Sequence, residues 1–407
     1  MRLKRLIPVA LMLSTTPALA EKGKPEAPDR EVWVTLGSDA VEPMRESFKS
    51  AGWEEPTTVH AKEQASVFRL KESQLSRLAT LMHERFNRCA GFITHESLDE
   101  AVASLAPAPA VAPQNLVTYT LDNAATVNAL MGSMTEPNVR STITLLSGYT
   151  TRYYTSQTAV TAANALLAKW KGFVPSTRTD VTVELFRHAS WVQPSVIFTI
   201  RGTTLPNEIV VVGGHMDSIN SSGTTAPGAD DDASGIASFT EVIRVAMARN
   251  YRPQRTVKFM AYAAEEVGLR GSREIAAYHK NNALNVVGVL QLDMTNYKRA
   301  NVTYDVGVVT DNTNAAQNTF LRNLITTYVK VQHVNTSCGY GCSDHASWHN
   351  QGYAASIPFE STVANGSPYI HTASDTLAQS GGNANHALKF AKIAAAYVAE
   401  LAKGTAQ

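Results

Sequence analysis

Apolar and polar positions divide the chain into two parts, joined by a run rich in alanine and proline. After this run, consecutive apolar residues alternate with helical patterns at spacings that favour one large α/β domain. The predicted strands are residues 195–202, 208–213, 256–262, 286–292, 303–309 and 354–359. The predicted helices are residues 159–171, 233–250, 272–282, 314–329, 344–351 and 385–403.

The joining run, residues 101–114 (AVASLAPAPAVAPQ), has the low-complexity composition of a semi-rigid, exposed linker. Upstream of it, the pattern predicts a strand at residues 31–36, a helix at residues 72–86 and little else. Because exposed linkers are preferred sites of proteolysis, we expect residues 21–113 to be a removable pro-segment of small α+β type. A permanent accessory domain is the alternative interpretation.

The first 20 residues have the three-part pattern of a secretory signal peptide. A basic start at residues 1–5 precedes an apolar stretch at residues 6–13 and a small-residue exit at residues 18–20. A short buried helix is the alternative, but these three features coincide at the start of the chain. We therefore expect export to an extracellular or periplasmic location.

The charge, hydropathy and cysteine content of the chain limit the classes of partner that it could bind. The chain has 36 basic and 35 acidic residues and no basic cluster, which argues against binding to nucleic acid or anionic lipid. No later apolar stretch approaches the roughly 18 residues of a membrane span. Three cysteines are too few for a disulfide framework, although export permits one bridge. Cys89 is then left over, unless the segment that carries it is discarded.

Candidate chemistry lies where the predicted strands end. His215, Glu266 and Asp293 follow apolar strands, and Asp231 precedes a helix, the positions at which open parallel sheets bind ligands. Asp217, two residues after His215, could accept the other ring N–H and so fix the tautomer of a ligating imidazole.

Acidic residues at these positions favour a metal centre. Asp231 is the middle of three consecutive aspartates between glycines, and a capping box explains one of them but not three. Glu265 and Glu266 end a strand, where charge is costly unless it is paired or metal-bound. With His371, these oxygen and imidazole donors fit Zn²⁺, with Co²⁺ or Mn²⁺ tolerable. Five ligands exceed the need of one catalytic zinc, so two metals that share a carboxylate are expected.

These residues resemble the motifs of the two-zinc exopeptidases, a family that includes the secreted bacterial leucyl aminopeptidases. The resemblance runs through residues 115–407 and rests on GGHMDS, APGADDDASG, AEEVGLRGS, QLDMTNY and CGYGCSDH. It implies that residues 114–407 are a di-zinc aminopeptidase catalytic domain. The expected fold is three-layer α/β/α with a mixed, mostly parallel central sheet.

The resemblance also implies a role for each site residue. His215 and Asp293 would hold one zinc, Glu266 and His371 would hold the other, and Asp231 would bridge them. Glu265 would be the general base and later the acid, in an attack by a metal-bridged hydroxide on the N-terminal peptide bond. Further implied features are a cis Asp231–Asp232 bond, a Cys338–Cys342 disulfide with Tyr340 reaching toward the substrate, and an apolar pocket of Met294, Phe359 and Ile370.

The implied partners are peptides or proteins with a free N-terminus and a large apolar first residue such as leucine, and the pro-segment as an inhibitor of a monomeric enzyme. Val363 and Gly366 stand where the best-known bacterial members have aromatic residues, so the pocket is expected to differ in shape.

Other chemistries fit the sequence less well. His345 and His349 have the spacing of a helical metal chelate but lack the glutamate of His-Glu-x-x-His. The chain contains no Gly-x-Ser-x-Gly elbow of a serine hydrolase. Related folds include non-enzymatic binding proteins and single-zinc cyclases, but all five ligand positions and Glu265 are present. A carboxypeptidase stays open as the harder rival, because relatives with similar metal sites act on the opposite terminus.

Overall fold

The computed structural model describes residues 29–62, 64–86, 88 and 90–407. The expected signal peptide and Cys89 lie outside the described residues. Within these residues, no helix is both long enough and apolar enough to cross a membrane.

The N-terminal module, residues 29–103, is an antiparallel sheet with three helices. Its elements are β1 (Glu31–Gly37), α1 (Val41–Ser50), β2 (Thr57–Ala61), β3 (Ala65–Lys71), α2 (Leu75–Phe86), β4 (Phe92–His95) and α3 (Leu98–Ala103). The strand order is β2-β3-β1-β4. Helix α3 occupies the first part of the predicted linker, because the Ser97 side chain caps it by accepting a hydrogen bond from the Glu100 amide at 3.2 Å.

The large domain, residues 114–407, is built on a six-stranded sheet in the order β12-β9-β7-β8-β6-β5. Its first elements are α4 (Ala124–Met131), α5 (Glu136–Ser147), α6 (Gln157–Gly172), β5 (Val181–Phe186), β6 (Ser195–Ile200), β7 (Leu205–His215), α7 (Ala233–Ala248), β8 (Arg255–Tyr262) and α8 (Arg270–Asn281). The remaining elements are β9 (Asn285–Gln291), β10 (Val306–Val309), α9 (Ala315–Leu324), β11 (His333–Thr336), α10 (His345–Asn350), β12 (Ala355–Ser356), β13 (Pro358–Phe359) and α11 (Asn385–Ala402).

The central strand β7 shows why this sequence forms a buried sheet. Val210 and Val212 pack into a core with α5, α6, α7 and α11, while Ile209 and Val211 pack on the opposite face with α8 and α10. Because successive side chains point to opposite faces, a strand buried on both faces must be apolar throughout. β7 pairs in parallel with β8 and β9, whereas β6 pairs antiparallel with β8 and β5. The predicted mixed α/β fold is confirmed.

Several predicted boundaries were wrong. The strand predicted at residues 354–359 is two short strands in different sheets, since β12 pairs with β9 and β13 pairs with β10. The strand predicted at residues 303–309 begins at Val306. The helix predicted at residues 314–329 is α-helical to Leu324 and then forms a π-helical turn.

Some elements were missed. β5 is an edge strand whose alternating side chains are partly exposed, which weakened its apolar signal. Helix α5 buries Val139, Thr142, Ile143 and Leu146, a helical stripe in which the polar threonine masked the pattern.

The N-terminal module shares a core with the large domain. Apolar side chains of β1, β3, α1 and α2 cluster with Tyr154, Trp191 and Val267 of the large domain. At the contact, the Thr94 amide donates to the Gly268 carbonyl at 3.1 Å. Gly268 has φ +97°, and a Cβ there would lie 2.6 Å from the Thr94 nitrogen, so glycine is required at this approach. The module therefore touches the segment that follows Glu265 and Glu266.

A buried guanidinium of the large domain also binds the N-terminal module. Arg270, the first residue of α8, donates to Glu72 at 2.6 Å and to Glu96 at 3.1 Å, both in the module. The Arg270 side chain is 1% exposed and lies 4.5 Å from the ring centroid of Trp191. Removing one partner of such a buried pair leaves uncompensated charge, which is strongly destabilising.

We expect Arg270→Met to lower the unfolding free energy of the full chain by about 3 kcal/mol, the lower end of the effect of breaking a buried ion pair, because Glu96 is partly in water. Urea unfolding followed by tryptophan fluorescence measures this change. The matched control is Arg69→Met, whose exposed partner Glu31 lies 3.8 Å away, and the expected change is within about 0.5 kcal/mol. Equal changes in the two variants would contradict a fastening role for Arg270.

Candidate metal centre and active site

Parallel strands bring the predicted site residues to one edge of the sheet. His215 is the last residue of β7, Glu265 and Glu266 follow β8, and Asp293 follows β9. Because β8 and β9 flank β7 in parallel, the carboxyl ends of all three strands meet. The structure thus brings these predicted site residues together at one edge of the sheet.

Asp231 lies between two imidazoles just before helix α7. Its Oδ1 is 3.0 Å from the His215 Nε2, and its Oδ2 is 3.2 Å from the His371 Nε2. The Asp231–Asp232 peptide bond is cis, as the resemblance implies. One carboxylate therefore faces both histidines.

The other two carboxylates divide between the histidines. The Asp293 Oδ1 lies 3.5 Å from the His215 Nε2, and the Glu266 Oε2 lies 2.8 Å from the His371 Nε2. The five predicted ligands thus form two groups, each with one imidazole, that share Asp231. All five are buried.

Unpaired polar atoms test whether cations fit this site. Both carboxylate oxygens of Glu265, the Glu266 Oε1, the Asp293 Oδ1 and the His371 Nδ1 are buried without a hydrogen-bond partner. Each such atom costs about 1–3 kcal/mol unless another group satisfies it. Divalent cations bound by oxygen and imidazole donors would satisfy them, so the donor set fits two ions of the zinc type.

The side chains make this pocket strongly negative. Although burial lowers it, the Asp293 and Glu265 carboxylates raise the pKa of His215 well above its usual value. Burial lowers the pKa of His371 as well, but the Glu266 carboxylate outweighs that effect and raises it. Burial raises the pKa of Glu266 to about 7 and that of Glu265 well above its usual range. Positive charge is therefore favoured here.

Asp232 is close enough to His215 and Asp293 to be considered a ligand. Its oxygens are already engaged, however. They accept hydrogen bonds from the backbone amides of Gly235 at 2.8 Å, His215 at 3.1 Å and Met294 at 3.3 Å. Asp232 therefore holds the backbone of three segments next to the site.

Asp217 has a broader contact than the sequence suggested. Its carboxylate accepts the amides of Glu265 and Glu266, each at 3.0 Å. The expected contact with the His215 Nδ1 is longer, 3.4 Å. Asp217 thus fixes the backbone of the segment that carries both glutamates.

An apolar cavity opens beside Asp293. It is lined by the three residues of the predicted pocket, by Tyr340 and by the two disulfide cysteines: Met294, Phe359, Ile370, Tyr340, Cys338 and Cys342. Val363 and Gly366 line it as well. A Cβ at Gly366 would lie 3.1 Å from the Phe359 ring, so glycine lets that ring occupy its present place.

The N-terminal module reaches this site, which the sequence did not reveal. The His83 ring, on α2, lies 4.7 Å from the His371 ring between centroids. The Arg88 guanidinium lies 5.0 Å from the Tyr340 ring centroid. Neither residue carries a motif that predicts these contacts, because they arise from the docking of two separately patterned parts.

Other site residues were also missed. The Ser343 hydroxyl donates to the Asp293 Oδ2 at 2.5 Å, and its position directly after Cys342 was the available signal. His345, by contrast, points away from the centre, with its Nε2 3.2 Å from the Asp311 carbonyl, so the structure does not support a His345–His349 chelate.

Known proteins are similar to this chain in sequence and in fold. The profile of Peptidase family M28 matches residues 195–398. Leucine aminopeptidase 1 of Ajellomyces capsulatus is 38% identical over 309 residues, which cover 72% of this chain and 79% of that protein. Leucine aminopeptidase 1 of Arthroderma otae is 35% identical over 72% of this chain and 82% of its own length.

The crystal structure of the Legionella pneumophila LapA aminopeptidase superposes with a TM-score of 0.79 and 28% identity, over 92% of this chain and 99% of that one. LapB of the same organism has a TM-score of 0.79 and 25% identity, over 92% and 100%. These relatives are fungal as well as bacterial, so the resemblance to bacterial enzymes was too narrow. The chain is a metallo-aminopeptidase, and it belongs to peptidase family M28.

Proposed function

We propose that this chain is a secreted, zinc-dependent aminopeptidase that removes large apolar residues such as leucine from the N-termini of peptides and proteins. The observation that carries the proposal is the pair of ligand groups sharing Asp231, beside a buried glutamate and an apolar cavity. The name leucine aminopeptidase in the fungal relatives supports the preference for leucine.

His215 and Asp293 would hold one ion, Glu266 and His371 the other, and Asp231 both. When bound, two zinc ions would lower the pKa of a water molecule and polarise the scissile carbonyl. Asp217 and Ser343 orient the ligand-bearing segments by their hydrogen bonds to the Glu266 amide and to Asp293.

Glu265 is the group that moves protons. Its carboxylate is fully buried and has no hydrogen-bond partner. Its backbone amide donates to Asp217, which holds this segment at the edge of the sheet. Burial raises its pKa well above the usual range, which suits a carboxylate that accepts a proton from water and returns it to the leaving amine. Glu265 is therefore the proposed general base and acid.

The cavity selects the first side chain. Met294, Phe359 and Ile370 present apolar surface next to Asp293, so a large apolar residue loses its water contacts there. Val363 and Gly366 also line the cavity, and the lack of a side chain at Gly366 lets the Phe359 ring lie against its backbone.

The N-terminal module is the proposed inhibitor. The His83 ring lies against His371 and the Arg88 guanidinium lies over Tyr340, so these two side chains of the module occupy the approach to the site. The expected cut in the Ala/Pro linker would allow this pro-segment to leave. We also propose export, on the strength of the N-terminal pattern; the Cys338–Cys342 disulfide supports it, because such bonds persist in oxidising compartments.

Glu265→Gln should keep two zinc ions per chain and lower kcat by about 10² to 10⁴-fold, because the amide cannot accept the proton. Metal analysis and turnover of a leucyl substrate, on protein freed of the module, measure both quantities. Glu208→Gln is the control, since Glu208 lies near the opposite end of β7 and pairs with Arg255. Loss of zinc from Glu265→Gln would show that this residue is a ligand.

A leucyl peptide with a free N-terminus should be cleaved, and the same peptide with an acetylated N-terminus should not, because the site is proposed to read the terminal amine. Amidation of the C-terminus should change nothing. Mass spectrometry of the products follows all three peptides. Equal cleavage of the free and acetylated peptides would refute aminopeptidase specificity, and sensitivity to amidation would point to a carboxypeptidase.

Replacing residues 107–110 with the recognition sequence of a specific protease allows the linker to be cut on demand. Cutting, followed by separation of the module, should raise activity at least about tenfold. If docking of the module is favoured by ~1.4 kcal/mol, only about a tenth of the sites are open in the uncut chain, and stronger docking leaves fewer. His83→Ala should raise the activity of the uncut chain, whereas His60→Ala, on the exposed strand β2, should not. An uncut chain with full activity would contradict inhibition.

A further inference from the structure

Asp375 holds the backbone on which Asp231 stands. Its Oδ1 accepts the Asp230 amide at 2.9 Å and its Oδ2 accepts the Asp231 amide at 3.1 Å. Its own carbonyl accepts the Ala229 amide at 3.1 Å. Asp375 is 1% exposed, so water does not compete for these bonds. One residue thus fixes three consecutive amides.

Arg152 holds the same loop by its carbonyls. Its guanidinium donates to the carbonyls of Pro227 and Gly228, the latter at 2.9 Å, and to that of Met216 at 2.6 Å. Arg152 is fully buried, and Asp375 is among the carboxylates that attract it electrostatically. The loop before α7 is therefore held at its carbonyls by the Arg152 guanidinium and at its amides by the Asp375 carboxylate.

The position of Asp375 in the chain links the two halves of the centre. Asp375 lies four residues after His371, and the His371 Nε2 is 3.2 Å from the Asp231 Oδ2. The short segment from His371 to Asp375 therefore carries one candidate ligand and clamps another. A shift of the clamp would move Asp231 relative to both His371 and His215.

We propose that Asp375 is a positioning residue that keeps the Asp231 carboxylate at the point shared by the two metal sites. The proposal rests on the proposed two-metal function. It predicts that weakening the clamp disturbs the bridge between the ions more than it disturbs the fold. Asp375→Asn is the sharpest change, because its NH₂ group would face a backbone N–H that needs an acceptor.

Glu400 offers a matched control. Its carboxylate, on α11, is 1% exposed and accepts the consecutive amides of Asp122 and Asn123, each at 3.0 Å. Glu400→Gln therefore disturbs the same kind of clamp on a loop that carries none of the proposed ligands. Its effect measures the structural cost of such a substitution.

The experiment uses the full chain, stripped of metal with a chelator and titrated with Co²⁺. Visible absorption reports binding of each ion, and electron paramagnetic resonance reports coupling between two ions that share a bridge. We expect the native chain to take up two Co²⁺ ions with a coupled signal. Asp375→Asn should bind the second ion about 10–100-fold more weakly and lose the coupling. Glu400→Gln should lower the melting temperature and leave both readouts unchanged.

The outcomes separate the two claims. A native chain that binds fewer than two Co²⁺ ions would refute the proposed function. A native chain that binds two, with Asp375→Asn giving the same affinity and coupling as Glu400→Gln, would overturn the role of Asp375 alone. Should Asp375→Asn fail to fold, Asp375→Glu keeps the charge and the acceptors but displaces them by one methylene; unchanged coupling in that variant would also overturn the proposal.

Discussion

Negative charge buried at the carboxyl edge of the central sheet must be balanced, because removing a carboxylate from water costs on the order of several kcal/mol. The buried carboxylates of this region are Asp217, Asp230, Asp231, Asp232, Glu265, Glu266, Asp293, Asp344, Glu360 and Asp375. Among the described residues, Arg152 is the buried arginine that binds the loop leading to Asp231. One guanidinium and the imidazoles of His215 and His371 cannot neutralise so many acids, so divalent cations, shared protons and backbone amides would have to supply the rest.

Backbone amides carry much of this balance. Asp217 accepts from the segment after β8, Asp232 from β7, from the first turn of α7 and from the segment after β9, and Asp375 from the loop before α7. Each carboxylate thereby joins segments that are distant in the sequence. The same acids that create the electrostatic problem also lock the loops, so the geometry of the centre and its charge cannot be changed independently.

The sequence predicted the central strands and the convergence of His215, Glu266 and Asp293, because buried parallel strands are apolar throughout and end abruptly in polar residues. It did not predict the partly exposed strand β5. It also gave no sign that Asp375 would clamp Asp231, since that contact depends on the tertiary fold. The docking of α2 onto the site was equally hidden, because His83 reads as an ordinary helical residue until two separately patterned parts are brought together.

The Ala/Pro linker makes the contact between His83 and His371 intramolecular. While the linker is intact, the module faces the site at an effective concentration on the order of millimolar, whatever the amount of protein present. Once the linker is severed, the same contact becomes bimolecular and weakens with dilution. If the chain is exported and cut as proposed, a module of moderate intrinsic affinity would stay bound while the linker is intact and would be lost by dilution after the cut.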